Sequence, residues 1–161
     1  ISSELSYPSE VQEVADHVQE CVDDSAYFSV LDIGRNGGYF TLPRLSFVDD
    51  ETGISVPYYY YNGSDLRPSI EIFQEELGNS FKLYLQDCVD FTQFDSYTIE
   101  QGNLDVETII SEREVLFTVS YPLIVSVEGS SYSLSSSYDH IVQANLGRLH
   151  ILAGEIVAYD Q

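Results

Sequence analysis

Two cysteines, Cys21 and Cys88, are the residues whose chemistry the sequence defines most sharply. Each lies on the apolar stripe of a segment with helical periodicity, so packing of the two helices would bring the sulfur atoms together. The Cys-x-x-Cys spacing of thiol redox enzymes is absent from the sequence. We therefore predict a disulfide bond, with buried free thiols as the alternative. A disulfide indicates an oxidising compartment outside the cytoplasm.

Other residue types that could carry catalysis lack the spacing they need. No two of the histidines, His17, His140 and His150, have the i, i+4 spacing of a helical metal pair, and each is expected at the surface or at a cap. The serines lack a Gly-x-Ser-x-Gly elbow, and the glycines of residues 34–38 lack the pattern of a phosphate-binding loop. The sequence therefore predicts no catalytic residue, no metal site and no cofactor, and we expect a protein that is not an enzyme.

Two acidic clusters could offer oxygen atoms to a calcium ion. One is Asp23 with Asp24, and the other is residues 49–51. Neither cluster has the spaced ligands of an EF-hand loop, so a solvated acidic face is the expected role of both. A small-molecule or calcium-binding module is the alternative function.

Four consecutive tyrosines, Tyr58, Tyr59, Tyr60 and Tyr61, end a β-prone run over residues 54–61. In an alternating strand two of the four would face outward. Either the four span both faces of a strand with their hydroxyls in water, or they form an aromatic contact patch for a partner. Asn62 follows directly and begins an Asn-x-Ser glycosylation sequon in a predicted loop.

The charge balance is the strongest global signal. The chain has 27 acidic and 6 basic residues, a net charge of −21, and Lys82 is its only lysine. This charge disfavours binding to nucleic acids and to anionic lipids. Concentrated salt screens such self-repulsion, since the Debye length is about 3 Å at 1 M salt. A halophilic protein is the favoured interpretation; an ordinary acidic secreted protein is the alternative.

Three segments have helical periodicity. The first covers residues 11–31, after a short lead-in over residues 1–7, and Gly34 is its predicted left-handed cap. The second opens at Pro68 and runs to Cys88, with a bend or break expected at residues 78–79. The third covers residues 146–158, and its apolar stripe contains Leu149, Leu152, Ala153, Ile156 and Val157.

Strand signals fill most of the remaining chain. A short strand is predicted over residues 39–42, where Pro43 stops it, and an alternating β-meander begins near residue 97. A serine-rich strand is predicted over residues 132–138. These elements predict one α+β domain over residues 1–161, with two long helices and a C-terminal helix packed on one face of a mainly antiparallel sheet.

The chain has no apolar run near the ~20 residues that cross a bilayer, so this segment is expected not to insert into a membrane. It begins with Ile1 rather than methionine, from which we expect that a leader or anchor has been removed. The expectation is the soluble ectodomain of a longer, membrane-anchored precursor.

Several short motifs, in a fixed order over most of the chain, carry a resemblance to known proteins. They are Val18, Gln19, Glu20, Cys21 and Val22; Gly37, Gly38, Tyr39, Phe40, Leu42 and Pro43; Leu85, Cys88 and Phe91; Val115, Phe117, Val119, Tyr121, Pro122 and Leu123; Tyr132, Ser133 and Leu134; and Leu146, Gly147, Arg148 and Leu149. The set resembles uncharacterised surface-anchored proteins of small-genome archaea, the lineages grouped with nanoarchaea and nanohaloarchaea. The resemblance implies an extracellular, cell-surface location and supplies no catalytic residue.

These observations together predict a non-enzymatic extracellular domain adapted to high salt. Its role would be structural, adhesive or partner-binding, with a protein or another cell-surface component as the partner. The oligomeric state is left open by the sequence.

Overall fold

The computed structural model describes residues 7–159, so residues 1–6, most of the expected lead-in, and residues 160–161 lie outside the described part. Within that part, three α-helices, one short 3-10 helix (Thr92–Phe94) and ten strands make up the fold. The α-helices and strands are α1 (Ser9–Arg35), β1 (Ser46–Val48), β2 (Ser55–Pro57), β3 (Tyr60–Tyr61), β4 (Ser64–Asp65), α2 (Ile70–Cys88), β5 (Thr98–Gln101), β6 (Asp105–Ile110), β7 (Glu114–Ser120), β8 (Leu123–Val127), β9 (Ser130–Ser133), β10 (Ser137–Gln143) and α3 (Leu146–Tyr159). The strand pairings are antiparallel, which confirms the α+β class with mainly antiparallel sheets.

Helix α1 is the longest element, and its predicted apolar stripe is buried from Val11 to Ile33. The predicted cap at Gly34 is wrong, because Ile33 continues the buried stripe and the helix runs on to Arg35. The left-handed backbone falls instead at Gly37 (φ +61°) and Gly38 (φ +89°). The N–H of Gly38 donates to Ile33 O at 2.9 Å and closes the helix end.

The predicted disulfide is present and joins the two long helices. Cys21 and Cys88 are bonded, with their Cα atoms 5.6 Å apart. Cys21 is almost fully buried in the core, between α1 and α2. Closing a loop of 67 residues stabilises the fold by about 4 kcal/mol in the chain-entropy model.

Helix α2 is continuous, so the break expected at residues 78–79 is wrong. Ser69 caps its start by accepting the N–H of Ile72 at 3.3 Å, and the helix continues to Cys88. Gly78 is buried where α2 packs on β6, and a Cβ there would lie 3.9 Å from Val106 O. A Cβ at this position would make only ordinary van der Waals contact, so the packing of α2 on β6, rather than a need for glycine, keeps the helix continuous.

The central sheet has the order β6-β7-β10, and its inner face is covered by α1 and α2. Phe117 of β7 pairs in register with Thr108 of β6 and His140 of β10. Its ring stacks on Phe81 of α2 at a centroid distance of 5.1 Å, and both rings are fully buried. This stack is the centre of the core.

The second three-stranded sheet has the order β5-β8-β9 and contradicts one predicted strand. The serine-rich run over residues 132–138 divides, because β9 pairs with β8 whereas β10 pairs with β7. Leu134 lies between them and is buried, and its N–H donates to Leu123 O at 2.9 Å. The chain passes from one sheet to the other at this buried leucine. In the described residues, no helix is long and apolar enough to cross a membrane.

Candidate interaction surface

The chain between α1 and α2 forms two small hairpins, and paired glycines set their position. Gly37 needs its left-handed backbone, and a Cβ there would lie only 2.8 Å from Pro57 Cγ. Tyr59 reinforces the same approach by donating its hydroxyl hydrogen to Gly37 O at 2.7 Å. The hairpins are therefore fixed against the end of α1.

Residues 39–42 do not form the predicted strand. The backbone N–H of Phe40 donates to Glu76 Oε2 of α2 at 2.6 Å, and the N–H of Thr41 donates to the same oxygen at 3.4 Å. A carboxylate thus takes the backbone donors that a neighbouring strand would have used. Tyr39 anchors the segment by donating its hydroxyl hydrogen to Leu66 O at 3.3 Å.

The acidic residues 49–51 form the turn between β1 and β2. Asp49 Oδ1 accepts the N–H groups of Glu51 at 2.9 Å and of Thr52 at 3.3 Å. These hydrogen bonds favour the ionised carboxylate and lower the pKa of Asp49. The carboxylate serves the turn itself, which is the usual role of aspartate at such a position.

The four tyrosines do not lie on one alternating strand. Tyr58 follows β2, and Tyr60 and Tyr61 form β3, which pairs with β4 around a two-residue turn. That turn has Asn62 at φ +49° and Gly63 at φ +82°, the signs of a type I′ turn. Asn62 of the sequon is thus exposed at a hairpin tip.

The structure separates the tyrosines into an outward pair and an inward pair. Tyr58 and Tyr61 are exposed, and their ring centroids are 5.5 Å apart. Tyr59 and Tyr60 are half-buried. Because its hydroxyl is bonded to Gly37, Tyr59 departs from the expectation that all four hydroxyls meet water. Burial, and to a smaller extent Tyr39, raises the pKa of Tyr59, with Arg67 opposing this shift.

The β1–β2 hairpin exposes four apolar side chains on one face, which we call the ladder face: Leu45, Phe47, Val56 and Tyr58. Phe47 is directly opposite Val56, and Tyr58 donates its N–H to Leu45 O at 3.1 Å. Residues two apart on a strand share a face, so the four side chains are contiguous. Between 38% and 54% of each side chain is exposed. A contiguous apolar patch of this kind marks a contact site more often than scattered apolar residues do.

A shallow depression borders the ladder face and shares part of its lining with it. Its volume is about 300 Å³, and its lining includes Leu45, Tyr58 and the guanidinium-bearing Arg44. Tyr39 lines its inner side, where burial and the charge of Glu76 raise the pKa of the tyrosine. The depression can receive an apolar side chain from a partner surface.

The remaining candidate residues make contacts that join elements within the fold. Asp23 Oδ1 accepts from Gln19 at 2.8 Å and lies 2.8 Å from His140 Nδ1, which links α1 to β10. His17 packs against Phe91 and Phe94, and His150 Nε2 lies 2.8 Å from Pro68 O. Across residues 7–159, no group of three or more histidine, cysteine or acidic residues is arranged to hold a metal ion.

The ladder face is the feature that sequence reasoning missed. Tyr58 belongs to the predicted aromatic patch and Val56 to the β-prone run over residues 54–61, but no contact role is predicted for Leu45, Phe47 or Val56. Their alternation around the turn at residues 49–53 was the available signal. Comparisons with protein-family models, with curated proteins and with solved structures find no match to this chain.

Proposed function

We propose that the protein is a non-enzymatic extracellular domain that binds a partner protein through the ladder face. The observation that carries this proposal is a contiguous apolar face on a hairpin of a chain with a net charge of −21. A strongly acidic surface keeps a domain soluble. Apolar side chains left in such a surface favour contact with a specific partner.

The non-enzymatic part of the proposal is supported by where carboxyl pKa values shift. Asp49, Asp65 and Asp90 have lowered pKa values because each accepts hydrogen bonds from residues two or three positions ahead. Asp49 lies in the β1–β2 turn, Asp65 ends β4 and Asp90 follows α2, so all three are at the surface rather than in a cleft. A carboxyl that acts as a catalytic acid or base would instead have its pKa shifted by burial and a specific charged partner in a pocket.

The extracellular location is supported by the disulfide and by the charge. A buried disulfide between the two longest helices fits an oxidising compartment. The excess of acidic residues fits a high-salt habitat. The resemblance to surface-anchored proteins of small-genome archaea agrees with both, so we place the domain at the cell surface of such an organism.

The charge also defines the chemistry of the partner. Apolar anchors would fill the depression beside Tyr58, which Arg44 also lines, and basic side chains farther out would suit a chain with 27 acidic and 6 basic residues. Nucleic acids do not meet this requirement, since their phosphates would face a surface of the same sign.

A peptide-display selection on the disulfide-bonded domain tests the proposal. We expect enrichment of peptides with aromatic or aliphatic anchors and flanking Lys or Arg, and we expect Phe47→Ser with Val56→Ser to weaken their binding at least tenfold. Ile124→Ser, an exposed apolar residue of β8, is the matched control and should leave binding unchanged. Equal binding by the wild type and the ladder-face variant would contradict the proposal.

A further inference from the structure

Helix α3 has two apolar faces, and only one of them packs on the domain. Leu146 and Val157 are buried, and Leu146 contacts the end of α1 beside Gly34. Gly147 lies against the backbone of Ser111, in the turn between β6 and β7. His150 contacts Pro68 at the start of α2. These contacts define the inner face of the helix.

The opposite face of α3 carries a regular apolar seam. Leu149, Leu152, Ile156 and Tyr159 follow one another at spacings of three, four and three residues. This is the a/d spacing with which one helix packs against another. Leu149, Leu152 and Ile156 are 48% to 58% exposed, so the seam has no covering element within residues 7–159. The predicted apolar stripe of this helix is therefore divided between core and surface.

The charge around the seam differs from that of the whole molecule. The described residues of α3 contain one basic and one acidic side chain, Arg148 and Glu155, so the helix is neutral in a chain of net charge −21. Arg67, which pairs with Asp65, lies against Gly154, and Arg113 and Glu112 share a depression with Arg148 and Glu155. Three of the six basic residues of the chain thus lie on or beside this helix. A second acidic molecule can approach here with little repulsion.

We propose that two copies of the chain associate through α3, antiparallel and about a two-fold axis beside Leu152. Such an axis places Leu149 of one copy opposite Ile156 of the other. It also places Arg148 near Glu155 of the second copy, and the symmetry repeats this ion pair. One two-fold axis therefore brings together both the apolar residues of the seam and the oppositely charged residues beside it. A strongly basic partner is a poorer fit, because the charges beside the seam are balanced and offer it no excess of carboxylates.

The proposal concerns a surface separate from the ladder face and does not rest on the proposed function. If it holds, each dimer presents two ladder faces. Two linked contacts raise avidity toward a surface that carries repeated partners.

Sedimentation of the disulfide-bonded protein tests the association. At about 100 µM, a concentration suited to a dissociation constant in the micromolar range, we expect a dimer. Leu152→Glu places two like charges at the axis and should give a monomer with an unchanged circular dichroism spectrum. Phe47→Glu, an exposed apolar residue of the ladder face, is the matched control and should remain dimeric. A monomeric wild type, or a dimer that survives Leu152→Glu, would overturn the proposal.

Charge exchange tests the orientation of the two copies. At about 0.15 M salt, where the Debye length is about 8 Å, Arg148→Glu and Glu155→Arg should each weaken the dimer several-fold. The double variant Arg148→Glu/Glu155→Arg restores opposite charges across the axis and should recover wild-type association. Failure of the double variant to recover would reject the antiparallel pairing. These results are independent of peptide binding at Phe47, so this inference and the proposed function can fail separately.

Discussion

Tyr138 is a buried residue with an unusual hydroxyl. It lies on the inner face of β10 opposite Val119 and is 7% exposed, yet its hydroxyl has no hydrogen-bond partner among the described residues. Burial is the main cause that raises its pKa to about 12, and Tyr7 and Tyr121 add to the shift. The neutral phenol is therefore favoured in the folded state.

The pKa of Tyr138 predicts a loss of stability at alkaline pH. An unfolded tyrosine ionises near pH 10. The contribution of the neutral Tyr138 phenol to the unfolding free energy is therefore fully present below about pH 10 and is lost as the pH rises toward 12. Tyr138→Phe should reduce the slope of the unfolding free energy between these pH values. At neutral pH it should leave stability unchanged within about 1 kcal/mol, because no hydrogen bond is lost.

Tyr121 provides the matched control for this variant. Its hydroxyl donates to Gln101 Oε1 at 2.6 Å, so Tyr121→Phe should cost about 1 kcal/mol at neutral pH. Urea unfolding of both variants at neutral and alkaline pH measures the difference. An equal loss of stability at neutral pH would show that the hydroxyl of Tyr138 has a partner after all.

At the scale of elements, the docking of α3 depends on one of its two glycines more than on the other. A Cβ at Gly147 would meet the backbone of Ser111 and Glu112, which cannot move without shifting the β6–β7 turn. A Cβ at Gly154 would meet only the guanidinium of Arg67, the flexible end of a side chain. The same substitution should therefore have opposite effects at the two positions.

We expect Gly147→Ala to destabilise the domain by about 2 kcal/mol through overpacking. Gly154→Ala should be neutral or should stabilise by up to about 1 kcal/mol, because alanine is the better helix former. Thermal unfolding of the two variants is the measurement. If both were equally destabilised, α3 would not dock on the turn as described.

The helices were predictable from sequence because their signals are local and repeated. The apolar stripe that includes Cys21 keeps a helical spacing over many residues. This spacing predicts the buried face of α1, its packing against α2 and the disulfide to Cys88. The segment over residues 39–42 was not predictable, because Glu76, more than thirty residues away, takes its backbone donors. The continuity of α2 through Gly78 was not predictable for a similar reason, because the packing of α2 on β6 is not visible in the local sequence.

The interaction surfaces were less predictable than the helices. Alternation identifies the faces of β1 and β2, but it does not say which face the fold leaves uncovered. The stripe of α3 shows the same limit, because Val157 and Ile156 are equally apolar in sequence and only Val157 is buried. Exposure depends on the assembled molecule.

At the scale of the whole molecule, stability reflects a balance between the disulfide-linked, apolar core and the mutual repulsion of the acidic side chains on the surface. The disulfide and the stacked rings of Phe81 and Phe117 hold the interior together. The net charge of −21 acts against compaction when salt is dilute. The extracellular high-salt domain that we propose should therefore gain stability as salt is added.

The unfolding free energy of the disulfide-bonded domain as a function of sodium chloride tests this central claim most directly. We predict a rise of several kcal/mol between about 0.1 M and about 3 M salt, most of it by about 1 M as the Debye length falls from about 10 Å to about 3 Å. A variant with four exposed carboxylates neutralised, Asp50→Asn, Glu51→Gln, Glu75→Gln and Asp87→Asn, should be more stable at low salt and less sensitive to salt. An unfolding free energy that is the same in dilute and in molar salt would contradict the account.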